Sequence, residues 1–393
     1  MNDTIAAPAN REGVDMTDNK KMIVAIAAGG TAGHVNPALA LAEELRDRGH
    51  AVHFFGDARR LEGTLVPQAG FPFHPVHVTG FDRQRPWTLA TALVHLAKEQ
   101  ARLVREFKAG QIPMPDVAIG FGAYLELPLV RAAHKLGVPV ALHEQNSVSG
   151  LANKQSAKLA SLIALGQPSA ESVLRERAAA TTRIEFTGNP VRTSVIEGNR
   201  ERGREALGIP DDATMLLVFG GSLGAAHLNE RLASLKSELL ALDGLYVVHS
   251  TGKGGYEDAL AALNLTEDER SRWVVRDYID DMGDVIAAAD LVLSRAGASS
   301  VAEIAALSAP SILVPYPFAT ADHQTTNARL LSDVGAAVVY ADDDIGGDAF
   351  RDELLGLLGD APRRAAMREA ARGLAQDKAA QALADKLESI ARP

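Results

Sequence analysis

Two glycine turns carry the first chemical signal in the chain. Ala28-Gly29-Gly30-Thr31-Ala32-Gly33-His34 and Phe219-Gly220-Gly221-Ser222-Leu223-Gly224-Ala225 each stand between an apolar run of strand length and a helical pattern. Glycines let backbone amides approach an anion, and a helix N-terminus adds unpaired N–H groups and a favourable dipole. Strand, glycine turn and helix together therefore form a phosphate-binding geometry. Any strand-to-helix fold also needs a tight turn there, but two such turns at equivalent places strengthen the phosphate reading. His34 follows the first turn at a helix start. The positive helix end disfavours imidazolium and keeps the ring neutral, as a general base requires. A capping or packing histidine is the alternative.

Three further clusters follow strand candidates. Ser294-Arg295-Ala296-Gly297-Ala298-Ser299-Ser300-Val301-Ala302-Glu303 opens a helix with small residues. It suits a pyrophosphate on the helix end, with the Glu303 carboxylate accepting two ribose hydroxyls; a plain helix start also favours Ser and Glu. Pro315–Asn327 is a loop and helix start rich in hydrogen-bonding groups, which suit a sugar or cap the helix. His143-Glu144-Gln145-Asn146 lies just past the strand candidate Val138–Leu142 and reads as a binding edge or a hydrogen-bonded loop. Asp280-Asp281 and Asp342-Asp343-Asp344 lack clustered histidines and are expected as exposed acidic loops, so no metal site is assigned. A nicotinamide fingerprint is only partial: residues 28–33 match two glycines of the pattern, with Asp57 as the acidic residue. A Walker A loop is absent, since Gly252-Lys253 lacks both the earlier glycine and the following Ser or Thr.

Near-continuous apolar strands alternating with helices must position these groups. Strand candidates are Met22–Ala28, Ala51–Phe55, Asp116–Ile119, Val138–Leu142, Leu162–Leu165 and Ile184–Phe186, then Met215–Phe219, Tyr246–Val248, Trp273–Val275, Leu291–Leu293, Ser311–Val314 and Ala337–Tyr340. This pattern predicts parallel sheets covered on both faces, built twice: two doubly wound α/β domains in tandem, with both glycine turns on one cleft. Thr187-Gly188-Asn189-Pro190-Val191-Arg192 marks the join. The expected division is a disordered tail over 1–20, a first domain over 21–190, a second over 191–360, and a C-terminal helical segment over 361–393 packing back on the first domain.

Composition narrows the function. The 393 residues contain no cysteine, which excludes a disulfide scaffold, a zinc–thiolate site, an iron–sulfur cluster and a thiol nucleophile. A net charge of −10 argues against a general nucleic-acid binder. The charge is uneven: residues 21–196 are net +5 and residues 197–393 net −13. No stretch reads as a membrane span, which takes about 20 apolar residues, and no secretory signal is visible.

Taken in order, Gly29-Gly30-Thr31-Ala32-Gly33-His34, His143-Glu144-Gln145-Asn146, Gly188-Asn189-Pro190-Val191-Arg192, Gly220-Gly221-Ser222-Leu223-Gly224-Ala225, Arg295-Ala296-Gly297-Ala298 and Asp322-His323-Gln324-Thr325-Thr326-Asn327-Ala328 resemble the MurG family of glycosyltransferases, family 28, over residues 21 to 390. The resemblance implies a GT-B fold of two Rossmann-like domains facing a central cleft. It implies inverting transfer of N-acetylglucosamine from UDP-N-acetylglucosamine to lipid I, undecaprenyl-diphosphate-muramoyl-pentapeptide, in peptidoglycan synthesis. UDP-N-acetylglucosamine would be a substrate, and no cofactor is implied. Ile279 would meet the uracil edge, Glu303 the ribose, Ser222 with Ala298 and Ser299 the diphosphate, and Gln324 the sugar. Asn146 and Arg192 would complete the donor site, with Thr31, Ala32 and Gly33 beside it. The turn from Thr31 to His34 would face the acceptor diphosphate, with Gly30, Tyr124 and Asn153 on the acceptor side and His34 as general base. Two departures stand out: Ala32 where the family usually has Gly, and Glu126 where it has Ser.

A lipid-linked acceptor implies a peripheral enzyme on the cytoplasmic face of the membrane, beside cell-wall synthesis and division proteins. Residues 81–110 supply the candidate surface. Phe81, Trp87, Leu89, Leu93 and Leu96 stand among Arg83, Arg85, Lys98, Arg102, Arg105 and Lys108, and the segment is net +3, which suits an anionic phospholipid surface.

Overall fold

The structure, a computed structural model, describes residues 21–78, 87–221, 225–374 and 377–392. The first sheet contains β1 (Ile23–Ala27), β2 (Ala51–Gly56), β3 (Phe73–Pro75), β4 (Val117–Gly120), β5 (Val140–Glu144), β6 (Leu162–Leu165) and β7 (Arg183–Phe186). Its order is β3-β2-β1-β4-β5-β6-β7 and every pairing is parallel. The second contains β8 (Thr214–Phe219), β9 (Leu245–Ser250), β10 (Trp273–Arg276), β11 (Leu291–Ser294), β12 (Ser311–Leu313) and β13 (Ala337–Val339). Its order is β10-β9-β8-β11-β12-β13, again all parallel.

Central strands such as β4 and β6 are buried along their whole length, because helices cover both faces. One face of the first sheet packs against the helix Ala32–Asp47, and the other against Leu103, Phe107 and the helix Leu127–Lys135. Strand order reverses between β1 and β4 and between β8 and β11. Crevices open there at the carboxyl ends of the strands, where the two glycine turns lie.

Four local features differ from the sequence reading. β3 is a three-residue edge strand carrying Pro75, too short for an alternation signal. His143 and Glu144 are the last residues of β5 and not a loop beyond it. The helix after the second turn breaks at Leu235 into Ala226–Ser234 and Lys236–Leu240. The C-terminal segment is two helices that serve different domains. Ala361–Arg372 sends Met367 and Ala371 into the cores around the second sheet. Ala379–Ile390 sends Leu383, Ala384 and Leu387 into the core of the first. Arg48 fastens that last helix, reaching Asp385 at 2.6 Å and Glu388 at 3.0 Å.

Because Leu387 is fully buried in the first-domain core, Leu387→Ala is expected to cost about 2–5 kcal/mol in urea unfolding. A loss below about 1 kcal/mol would show that this helix docks loosely.

Candidate functional site

Two helices begin side by side at the centre of the molecule. Ala32–Asp47 starts directly after the first glycine turn, and Ala298–Ala306 starts after β11. Ser299 Oγ lies 3.5 Å from the Gly33 carbonyl oxygen, and the Asn36 amide lies near enough to Glu303 to pull its carboxyl pKa down. Both contacts move from first turn to second in the same direction. The helices therefore run parallel with their N-termini abreast. Neither start has a side-chain cap or an acidic residue in its first turn. Each end carries roughly half a positive charge, so the pair is a strong anion seat.

These ends open on a cleft of about 790 Å³ between the domains. Thr31, Ala32, Gly33, His34 and Asn146 line it from the first domain, and Ile279, Ala298, Ser299, Glu303, His323 and Gln324 from the second, with Arg192 from the connection. Gly220 and Gly221 also line it, while Ser222 lies outside the described residues. Ala32 strains nothing, because the left-handed position of its turn is Gly30, with φ of 89°.

The titratable groups are strongly perturbed. His34 Nδ1 is 3.1 Å from Thr31 Oγ1. Desolvation, with His323 nearby, lowers its pKa to about 4, so the ring is neutral. Burial pushes the Glu303 carboxyl up to about 7, against the pull of Arg192 and the Asn36 amide. Gln324 Oε1 accepts from the backbone N–H of Tyr316 at 2.9 Å and of Ala296 at 3.2 Å. Its amide group is thereby the donor it has left to offer. Arg192 donates from Nε and Nη2 to Glu43 Oε1 at 3.1 and 2.8 Å.

Beneath the first-domain turns lie buried carboxylates that sequence reasoning missed or left open. Glu62 accepts from the Gly30 N–H at 3.1 Å and the Asp57 N–H at 3.1 Å. Gly30, expected on the acceptor side, thus gives its N–H to the protein, and the uncapped helix start beyond it is the available anion seat. Glu126, fully buried, accepts from the Gly122 N–H at 2.7 Å and from Ser156 Oγ at 2.9 Å. Burial raises its carboxyl to about 7. It braces the loop against which His34 packs: a Cβ on Gly122 would stand 3.2 Å from the His34 ring.

Two acceptor-side expectations fall outside the cleft lining. Asn153 is 1% exposed and donates to the His143 carbonyl oxygen at 3.1 Å and to Glu144 Oε2 at 2.9 Å, so it props β5 from below. The Tyr124 hydroxyl accepts from Arg60 at 3.5 Å. Of the His143–Asn146 run, the first three are buried and hydrogen-bonded and Asn146 alone reaches the cleft. Asp342, expected in an exposed acidic loop, is half-buried and pairs with Arg295 and with His227 at 2.8 Å. No cluster of three or more candidate metal ligands occurs among the described residues.

The paired domains, facing crevices and anion seat define a GT-B glycosyltransferase. Residues 24–165 match the glycosyltransferase family 28 N-terminal domain and residues 215–386 the family 28 C-terminal domain. The chain belongs to glycosyltransferase family 28. It is 38% identical to the UDP-N-acetylglucosamine–N-acetylmuramyl-(pentapeptide) pyrophosphoryl-undecaprenol N-acetylglucosamine transferase of Desulforudis audaxviator, over 94% of this chain and 99% of that protein. It is 39% identical to the protein of the same name from Salinibacter ruber, over 94% and 96%. Crystalline MurG of Acinetobacter baumannii superposes with a TM-score of 0.68 at 29% identity, covering 94% of this chain and 99% of that one. Arabidopsis thaliana UGT89C1, at 17% identity and a TM-score of 0.64 over 94% and 99%, shares the fold.

With its carboxyl raised to about 7, Glu303 ionises as pH rises through neutrality, and hydroxyl donors prefer the ionised form. UDP affinity, measured by calorimetry, is therefore expected to increase between about pH 6 and 8, and Glu303→Gln to weaken binding and flatten this dependence. A wild-type profile as flat as the variant's would separate Glu303 from the nucleotide.

Proposed function

We propose that the chain transfers N-acetylglucosamine from UDP-N-acetylglucosamine to the 4-hydroxyl of undecaprenyl-diphosphate-N-acetylmuramoyl-pentapeptide, with inversion at the anomeric carbon. The pair of uncapped helix N-termini at the head of an interdomain cleft is the observation that carries this reading. The names of the relatives supply the substrates it is tested against.

In this mechanism the acceptor oxygen attacks the anomeric carbon from the face opposite UDP. As the carbon–oxygen bond forms, the bond to the diphosphate breaks, and UDP leaves with the electron pair through an oxocarbenium-like state. The amides at the Ala298 helix start, together with Arg192, stabilise the charge on the leaving diphosphate. Loss of one such donor costs about 100- to 1000-fold in rate. The hydroxyl proton passes to His34. Its ring, held at about pKa 4 by desolvation, is shifted upward by two bound diphosphates, which favour the imidazolium product. Ile279, nine-tenths buried after β10, meets the uracil edge, and Gln324 offers its amide to the sugar.

The acceptor is delivered at a membrane surface. No described helix is long and apolar enough to cross a membrane. The helix Thr88–Lys108 instead exposes Leu89, Leu93 and Val94 near its start, beside Trp87 at 71% exposure, and turns Leu96, Leu103 and Phe107 inward. Lys98, Arg105 and Lys108 are exposed farther along. Arg102 is not part of this basic surface, since it is held by Glu99, Glu106 and the Pro75 carbonyl. Phe81, Arg83 and Arg85 lie outside the described residues.

Incubation with labelled UDP-N-acetylglucosamine and a lipid I analogue is expected to give transfer that persists in EDTA. His34→Ala should lower kcat about 100-fold or more and remove the acid limb of the pH–rate profile. A near-normal rate with an unchanged acid limb would take the base role from His34. Trp87→Glu with Leu93→Glu should weaken binding to anionic vesicles at least about tenfold. Unchanged binding would mean that another surface docks.

A further inference from the structure

The first-domain helix Ala32–Asp47 reaches two polar groups of the cleft that carry no glycine-turn or motif signal. Asn36 and Glu43 are seven residues apart, two helical turns, and lie on the same face as Gly33. Asn36 and Glu303 line the cleft together, and the Asn36 amide lies near enough to pull the Glu303 carboxyl pKa down. Glu43, with its side chain only 12% exposed, holds Arg192 through Oε1 at 2.8 and 3.1 Å. Both partners belong to the proposed donor site, yet both holding residues come from the opposite domain.

We propose that Asn36 and Glu43 are positioning residues for the donor nucleotide, Asn36 setting the carboxylate of Glu303 and Glu43 setting the guanidinium of Arg192. This rests on the donor-site reading of Glu303 and Arg192 given above. An arginine presents five N–H donors in a rigid fork. Glu43 takes the one on Nε and one on Nη2, and leaves the other three for a diphosphate. Without Glu43, the carboxylate that already feels the charge of Arg192 is Glu303. The guanidinium would then close on Glu303 and cover the oxygens that the ribose requires. The amide of Asn36 does the complementary task. It donates to Glu303, favours the ionised form against burial, and fixes the plane of the carboxylate. Among the described residues, the other charged or titratable groups facing Glu303 are Arg192 and Tyr278. The nucleotide pocket is accordingly completed by the domain that binds the acceptor, and donor affinity reports the docking of the first helix.

Calorimetric titration of UDP into the full chain tests this, with thermal melts to check that each variant is folded. Glu43→Gln is expected to weaken UDP binding about tenfold and to raise the donor KM by a similar factor with kcat little changed. Glu43→Asp should recover part of the loss. Asn36→Ala should weaken UDP binding about tenfold near neutral pH and move the midpoint of its pH dependence upward, so that affinity returns at higher pH. Tighter binding by Glu43→Gln would show that Glu43 sequesters Arg192, and would overturn the proposal. If the wild type binds UDP, Glu303→Gln abolishes binding, and both Asn36→Ala and Glu43→Gln bind normally, the proposal fails alone. A wild type that binds no UDP overturns the donor reading itself.

Discussion

Two parallel helices with uncapped N-termini side by side are an electrostatic problem that the rest of the cleft answers. Their dipole ends repel, and no acidic side chain stands in either first turn to relieve them. The nearest compensation within the protein is Glu303, one turn deeper, and its burial raises its carboxyl to about 7. The protein itself is therefore short of negative charge where the helix ends meet. A diphosphate bound there would supply it, and one that gains charge as a bond breaks would supply more in the transition state than in the ground state. That difference is what a catalyst needs.

The same arrangement explains how the domains cooperate. Polar contacts join them at the cleft. Ser147 donates its N–H to Asn327 Oδ1 at 3.1 Å and its hydroxyl to the His323 carbonyl at 3.1 Å, while Arg192 pairs with Glu43. Buried carboxylates make the first-domain side rigid. Glu62 and Glu126 each pin a glycine turn from beneath, so the loop under His34 is held by hydrogen bonds. Glu126 can fill this role only because Gly120 leaves room for it, since a Cβ there would lie 2.4 Å from its carboxylate. A departure from the family pattern is thus absorbed below the surface of the cleft.

Much of this was legible in the sequence, for reasons that are local. The glycine turns announce themselves because Gly30 and Gly221 adopt φ of 89° and 84°. Central strands announce themselves because parallel sheets covered on both faces read as unbroken apolar runs. Small residues before Glu303 mark a helix start wherever they occur. What stayed hidden depends on long-range pairing. Glu62, Glu126, Asn36 and Glu43 look like ordinary polar positions, and their partners lie across a turn, a loop or the other domain. For His143 and Glu144 the sequence left two readings open. Polar residues at a strand end resemble a binding edge, but here His143 Nε2 meets the Gly188 carbonyl at 3.1 Å and Glu144 collects the Asn146 and Gly150 amides. Three-residue β3 was invisible because so short a strand has no period.

The central claim is that the Ala298 helix start, one of the two paired helix ends, seats the donor diphosphate. A crystal structure of the full chain with UDP tests it most directly. The account predicts phosphate oxygens within hydrogen-bond distance of the Ala298 or Ser299 amides, with both ribose hydroxyls on Glu303. Phosphates bound away from these helix starts, with Glu303 still on Asn36, would contradict it.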